Sequence, residues 1–235
     1  MATRPVPFQV DEWFHSYSRG IDKRTVFESE ADAERFLVLL YLANSTEEVR
    51  RDSLSLKTDK IVVRPRGELL VSIGAYCLMP NHYHLLLKEI KEGGISRFMQ
   101  KLGTAYTMYF NKKYDRVGGL FTKPFRARHV ADDRYFQRVV DYIHCNPAEL
   151  YEPGWKKGAV RNIDRLEQQL LQYRYSSFAD YNDKKRPHAT ILSHDGFDTY
   201  VARTPKKMLA EARAYYADIA MDDPSIAILP TKTKQ

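Results

Sequence analysis

Cysteine is scarce in this 235-residue chain, limited to Cys77 and Cys145. Two isolated thiols without a repeated CxxC provide no disulfide framework, and they point to a reducing, cytoplasmic setting. Long apolar runs are also missing. No segment approaches the roughly 20 residues that a membrane helix needs, so no membrane association is expected. The first residues, Met-Ala-Thr-Arg-Pro-Val-Pro, lack the apolar core of a secretory signal. There is no internal repeat and no low-complexity block. What is present is ordinary for a soluble globular protein: 43% hydrophobic and 29% charged residues, in a length suited to one sizeable domain with or without an appendage.

Charge is distributed unevenly. The formal net charge is +7, and residues 91–161 alone hold 14 Lys/Arg against 7 Asp/Glu, which leaves the remainder near neutral. A basic middle suits a polyanionic partner, since contacts to phosphates release counterions, although a solvated basic face would look the same.

Hydrophobic patterning predicts a strand over 13–18, then a helix capped by Ser29 and running through Phe36, Leu37, Leu40 and Tyr41. A polar connection over 45–68 follows. Strands are expected at 69–78 and 82–88, separated by a turn at Pro80-Asn81. After Gly93-Gly94, a stripe of Ile95, Phe98, Met99, Leu102, Ala105, Tyr106, Tyr109 and Phe110 marks an amphipathic helix. A strand at 125–130 carries Arg126 and Arg128 on one face. The next helix is capped by Asp132 or Asp133 and closed by Pro147. The order β-α-β-β-α-β is that of an α+β, ferredoxin-like (RRM-like) fold: an antiparallel sheet with helices on one face. Residues 1–184 are read as this domain. Residues 185–235 are read as a C-terminal helical extension, with a short helix near 205–217 and a disordered end at 230–235.

Two patterns carry chemistry. On a strand, residues i and i+2 share a face, so His82 and His84 project together, about 6.5–7 Å apart at Cα, while Tyr83, Leu85 and Leu87 face the core. Two neutral imidazoles so placed can converge on a divalent metal; two unrelated histidines on a solvent-facing strand would share the same spacing. On the later helix, Phe136, Val139, Val140 and Ile143 form the buried stripe, and Tyr142 and Asn146 share the side that borders it. Tyr142 can serve as a nucleophile if a metal or base removes a proton held with a pKa near 10, or it can be a packing aromatic. A proline at 147 disfavours helical backbone at Asn146. His144 points away from Tyr142 and suits a structural role, and Cys145 a buried thiol.

Taken together, Leu78-Met-Pro-Asn-His82-Tyr-His84-Leu-Leu and Tyr142-Ile-His-Cys-Asn146-Pro resemble the motifs of the HUH single-tyrosine transposases of the IS200-like superfamily, and within it the REP-associated tyrosine transposases. Ser96–Leu102, Tyr109-Phe-Asn111 and Tyr175-Ser-Ser-Phe178 resemble family segments as well, so the likeness spans roughly residues 10–181 in order. In place of an Arg that many members carry before the fourth strand, this chain has Pro124, followed by Phe125 and Arg126. The resemblance implies a nuclease and strand transferase. His82, His84 and Asn146 would bind Mg²⁺ or Mn²⁺, and Tyr142 would attack single-stranded DNA near a hairpin to form a 5′-phosphotyrosine link. Such proteins act as monomers or homodimers.

Lys101, Lys112, Lys113, Arg116, Lys123, Arg126 and Arg128 are the candidates for the DNA backbone path. Tyr114 and Phe121 are the candidate stacking platforms, and Tyr106 and Tyr109 are assigned to the core. Two other functions fit the same residues: a non-catalytic ferredoxin-like regulator that binds nucleic acid, and a metal hydrolase that uses bound water instead of Tyr142.

Overall fold

The computed structural model describes residues 7–48, 66–183 and 185–222. The expected polar connection therefore lies largely outside the described residues, as does the C-terminal end from 223 onward.

Strand β1 (Trp13–Arg19) leads to helix α1 (Glu30–Ala43), β2 (Val71–Met79), β3 (His82–Glu89), α2 (Gly94–Lys113), β4 (Arg126–Val130) and α3 (Asp133–Cys145). The Ser29 amide donates to Asp32 Oδ2 at the start of α1, and the Tyr135 amide to Asp132 Oδ1 at the start of α3. At the start of α2, the carboxylate of Glu89, the last residue of β3, accepts from the Gly93 and Ile95 amides and so ties the helix to the sheet.

The sheet is four-stranded and antiparallel, in the order β2-β3-β1-β4. This is the ferredoxin-like arrangement expected from the sequence. One face carries Phe14, Ile73, Tyr76, Tyr83, Leu85 and Leu87 and packs on α1 and α2 through Phe36, Leu37, Phe98 and Leu102. The two helices of the βαββαβ unit thus lie on one face, as expected.

The second face is covered too. Val139, Val140, Tyr142 and Ile143 of α3 pack there on Ala75, Cys77, Met79 and Leu86. After the helices α4 (Ala148–Tyr151), α5 (Ile163–Gln172), α6 (Phe178–Asn182) and α7 (His194–Thr199), a long helix α8 (Pro205–Asp222) returns to the same core. It contributes Met208, Leu209, Ala212, Tyr215 and Ile219, an amphipathic spacing. The helix expected near 205–217 thus extends to Asp222. Among the described residues, no helix is long and apolar enough to cross a membrane.

Candidate active site

The strand register assembles the site. β1 pairs Tyr17 with His84 and Arg19 with His82, while β4 pairs Arg128 with His15 and Arg126 with Tyr17. Since alternate residues share a face, His15, Tyr17 and Arg19 stand beside His82 and His84, with Arg126 and Arg128 on the same side. This is the face roofed by α3 and α8.

Both motif histidines are buried, and their ring centroids lie 5.0 Å apart with the planes at 89°. His82 Nδ1 is 2.7 Å from Asn81 Oδ1, and His84 Nδ1 is 2.9 Å from His15 Nε2. The Nε2 atom of each motif histidine is buried without a hydrogen-bond partner among the described residues. Burial, aided by the positive charges of Arg19 and Lys156, lowers the His82 pKa to about 3. Burial also holds His84 well below the usual imidazole range, helped by the neighbouring His82 and His15 rings. Both rings are therefore neutral, the form that can ligate a metal.

Tyr142 meets them from α3. Its ring centroid is 5.4 Å from that of His84 and 5.8 Å from that of His15. The residue is fully buried, and its hydroxyl also has no hydrogen-bond partner among the described residues. Burial raises the phenol above its ordinary pKa, and Tyr216, Tyr17 and Glu149 act in the same direction; the Asn146 side chain opposes the shift. Asn146 is buried, influences both His82 and Tyr142, and donates Nδ2 to the Tyr142 carbonyl at 3.0 Å. That bond uses the amide nitrogen.

The backbone at Asn146 corrects the sequence reading. It is helical, with φ −53° and ψ −42°. The Asn146 carbonyl accepts from the Glu149 amide, which continues the turn across Pro147 and offsets the crowding from the proline ring. Tyr142 and Asn146 consequently share one side of the helix. His144 points elsewhere, as expected: its Nε2 lies 2.9 Å from Ser177 Oγ, and the ring packs on Phe178, Tyr181 and Tyr200. Cys145 is a buried thiol.

The expected basic path divides between the two sides of the sheet. Arg126 is exposed on the site face, and the Arg128 guanidinium lies 5.8 Å from the Tyr135 ring centroid. Lys101 and Lys113 belong to α2, on the opposite face, and are engaged there: Lys101 with the Ser45 and Glu47 carbonyls, Lys113 with Asp32. Lys112 is exposed at the end of the same helix, Arg116 bonds Asn111, and Lys123 is exposed before β4. The stacking platforms are corrected. Phe121 is buried against Tyr83 and Phe36 in the first core, and the Tyr114 hydroxyl is held by Asp32. Tyr106 is buried in that core, and Tyr109 packs partly buried against it.

Sequence reasoning missed four side chains here. Arg19 and Lys156 place positive charge beside both motif histidines. His15 and Tyr215 stand behind them: His15 Nδ1 is 2.7 Å from Tyr215 Oη, and the Tyr215 ring lies 5.1 Å from that of Tyr142. His15 could have been found by pairing the first strand with the His-x-His strand in antiparallel register. Tyr215 had no such signal, because nothing local to α8 shows which strand it covers.

Residues 38–146 match the model of the family described as transposase IS200 like. All four motif residues, His82, His84, Tyr142 and Asn146, lie inside that match. No curated protein matches the chain. A solved structure described as a REP-associated tyrosine transposase bound to a REP hairpin is similar at 14% identity and a TM-score of 0.47, over 80% of this chain and 90% of that one.

Proposed function

We propose that this chain, whose residues 38–146 match the IS200-like transposase family model, is a metal-dependent, single-tyrosine endonuclease and strand transferase acting on single-stranded DNA beside hairpins of the REP kind. One observation carries the proposal. His82 Nε2, His84 Nε2 and Tyr142 Oη are three buried polar atoms without hydrogen-bond partners among the described residues, on facing surfaces of β3 and α3. Orphaned buried polar groups are costly, and a cluster of them signals a functional site rather than a packing solution.

Two bare imidazole nitrogens and an amide oxygen fit a divalent cation of the Mg²⁺ or Mn²⁺ class, with coordination positions left for phosphate oxygens and water. His82, His84 and Asn146 would hold it. When bound, such an ion polarises a phosphate and favours the phenolate. Tyr142 Oη attacks phosphorus, and the bond from phosphorus to the 3′ oxygen breaks. The products are a 5′-phosphotyrosine and a 3′-hydroxyl, which takes up a proton equivalent to the one the phenol gave up. Attack of that hydroxyl, or another, on the phosphotyrosine reverses the step. Arg19 and Arg126 supply positive charge for the strand, while Lys156 is paired with Glu149.

The test is incubation with end-labelled single-stranded hairpin substrates and Mn²⁺, read on a denaturing gel. Protein-linked DNA that disappears in Tyr142→Phe supports the reading. Cleavage without an adduct that persists in Tyr142→Phe favours a metal-bound water as nucleophile. Hairpin binding with neither product favours a regulator without chemistry.

A further inference from the structure

The metal reading requires a bare Nε2 lone pair on both motif histidines, and the two rings secure it differently. For His82 the arrangement is local. The side-chain oxygen of Asn81 only accepts hydrogen bonds, so the hydrogen sits on His82 Nδ1 and Nε2 presents its lone pair. His84 has no carbonyl partner. Its Nδ1 faces His15 Nε2 at 2.9 Å, and His15 Nδ1 faces Tyr215 Oη at 2.7 Å. All three side chains are essentially buried.

Every group in this chain can give or accept one hydrogen, so the relay has two neutral arrangements. In one, His84 Nδ1–H donates to His15 Nε2, and His15 Nδ1–H donates to the Tyr215 oxygen. His84 Nε2 is then bare. In the other, each hydrogen moves one place: Tyr215 donates to His15 Nδ1, His15 Nε2–H donates to His84 Nδ1, and His84 Nε2 carries the hydrogen. The second arrangement gives a hydrogen to His84 Nε2, a buried atom without a hydrogen-bond partner among the described residues. Buried N–H groups without acceptors are rare because they forfeit hydration without replacement. In the first, only the Tyr215 hydroxyl hydrogen lacks a partner in the relay, and a hydroxyl hydrogen can turn about its C–O bond toward an acceptor, as a ring N–H cannot; the Tyr135 ring lies 5.3 Å away.

We propose that His15 and Tyr215 are positioning residues that fix the tautomer of His84, the Tyr215 oxygen acting as the terminal acceptor that keeps His84 Nε2 free for the metal. Both lie outside the segment that matches the family, and Tyr215 reaches the site only because α8 folds back over it. The proposal rests on the metal reading above. Removing the Tyr215 oxygen strands His15 Nδ1–H without an acceptor, so the preference for a bare His84 Nε2 is lost and the two arrangements become comparable.

Long-range nitrogen–proton NMR spectra of the metal-free full chain test this directly. His84 should carry its hydrogen on Nδ1 in the unsubstituted protein and divide it between Nδ1 and Nε2 in Tyr215→Phe. Mn²⁺ affinity, read from the free-ion EPR signal, should fall in Tyr215→Phe, by at most the roughly 10–100-fold usual for direct partners of metal-ligating histidines. Adding His15→Gln to Tyr215→Phe should restore affinity, because a glutamine oxygen accepts from His84 Nδ1–H without help. A hydrogen on His84 Nε2 in the unsubstituted protein overturns the proposal even if a variant fails to fold. An unchanged tautomer and unchanged Mn²⁺ affinity in Tyr215→Phe overturn it while the metal reading stands. Absence of Mn²⁺ binding by the unsubstituted chain removes the metal reading itself, and the proposal with it.

Discussion

The rings of Tyr142 and Tyr215 lie 5.1 Å apart, so the side chain assigned as nucleophile is covered by a helix that begins more than 60 residues after it. Tyr216 of the same helix stacks at 6.5 Å, with the Lys156 ammonium 4.6 Å from its ring. Tyr142 is fully buried, and α8 forms part of its cover.

Because α8 shares a core with α3, it should contribute to global stability rather than sit as a loose appendage. Leu209 is 2% exposed and packed in that core. Leu209→Ala should therefore lower the unfolding free energy by about 2–5 kcal/mol, the usual range for a buried leucine. Urea titration followed by far-UV circular dichroism would report a single transition at a lower midpoint. A loss under about 1 kcal/mol, or a separate early transition, would show that α8 is only weakly docked.

Stability of the metal-free protein should depend on pH through its buried histidines. Burial lowers His15, His82 and His144 to about 3, against an unfolded value of 6.5. The folded rings stay neutral while the unfolded ones take up protons, so their contribution is full above pH 6.5 and is lost as pH falls toward 3. Each ring should remove about 1.4 kcal/mol per pH unit within that window. Denaturation midpoints measured between pH 7 and 4.5 in the presence of a chelator would show the decline. Replacing His144, which lies outside the site, by Gln should make it shallower.

The sheet and its first helical layer were legible because their signals are local. Alternation along β2 and β3, the Ser29 and Asp132 caps and the 94–113 stripe each reside in a few consecutive residues. His82, His84 and Tyr142 were legible for the same reason. The rest of the site was not, because it depends on register and on return of the chain. His15 joins His84 only through antiparallel pairing across 69 positions of sequence, and Tyr215 only through the docking of α8. Phe121 misled because its flanking polar residues suggest a surface loop, while the fold turns its ring inward against Tyr83.

The division of basic residues between two sides of the sheet yields a prediction about where DNA binds. Arg126 is exposed on the face that carries the histidines, whereas Lys112 is exposed on α2 across the sheet. If the strand runs past the site, Arg126→Glu should weaken binding of a single-stranded hairpin substrate and flatten its log–log salt dependence by about 0.7 for each phosphate that is no longer neutralised. Lys112→Glu should leave both nearly unchanged. The reverse pattern in fluorescence anisotropy at several salt concentrations would move the DNA path to the α1–α2 side.

The last prediction separates a functional Tyr142 from a packing one by opposite effects on stability and activity. A buried tyrosine kept for the core normally spends its hydroxyl on a partner, as Tyr106 does with the Val26 carbonyl and Tyr76 with Asp180. Removing such an oxygen leaves an unpaired group behind and destabilises the protein. Tyr142 differs, because its buried hydroxyl makes no hydrogen bond of good geometry among the described residues, and only the Asn146 side chain lies near enough to act on it. Tyr142→Phe keeps the ring against His84 and Tyr215 and removes only an unpaired, dehydrated polar atom. The unfolding free energy of the metal-free protein should therefore stay the same or rise by about 1 kcal/mol. Cleavage of single-stranded DNA and the covalent adduct should vanish in the same variant, while hairpin affinity is retained. Tyr106→Phe should behave oppositely, losing about 1 kcal/mol of stability while retaining cleavage in the folded fraction. A marked loss of stability in Tyr142→Phe would mean that the hydroxyl has a structural partner, and that the site is not the orphaned cluster on which the catalytic assignment rests.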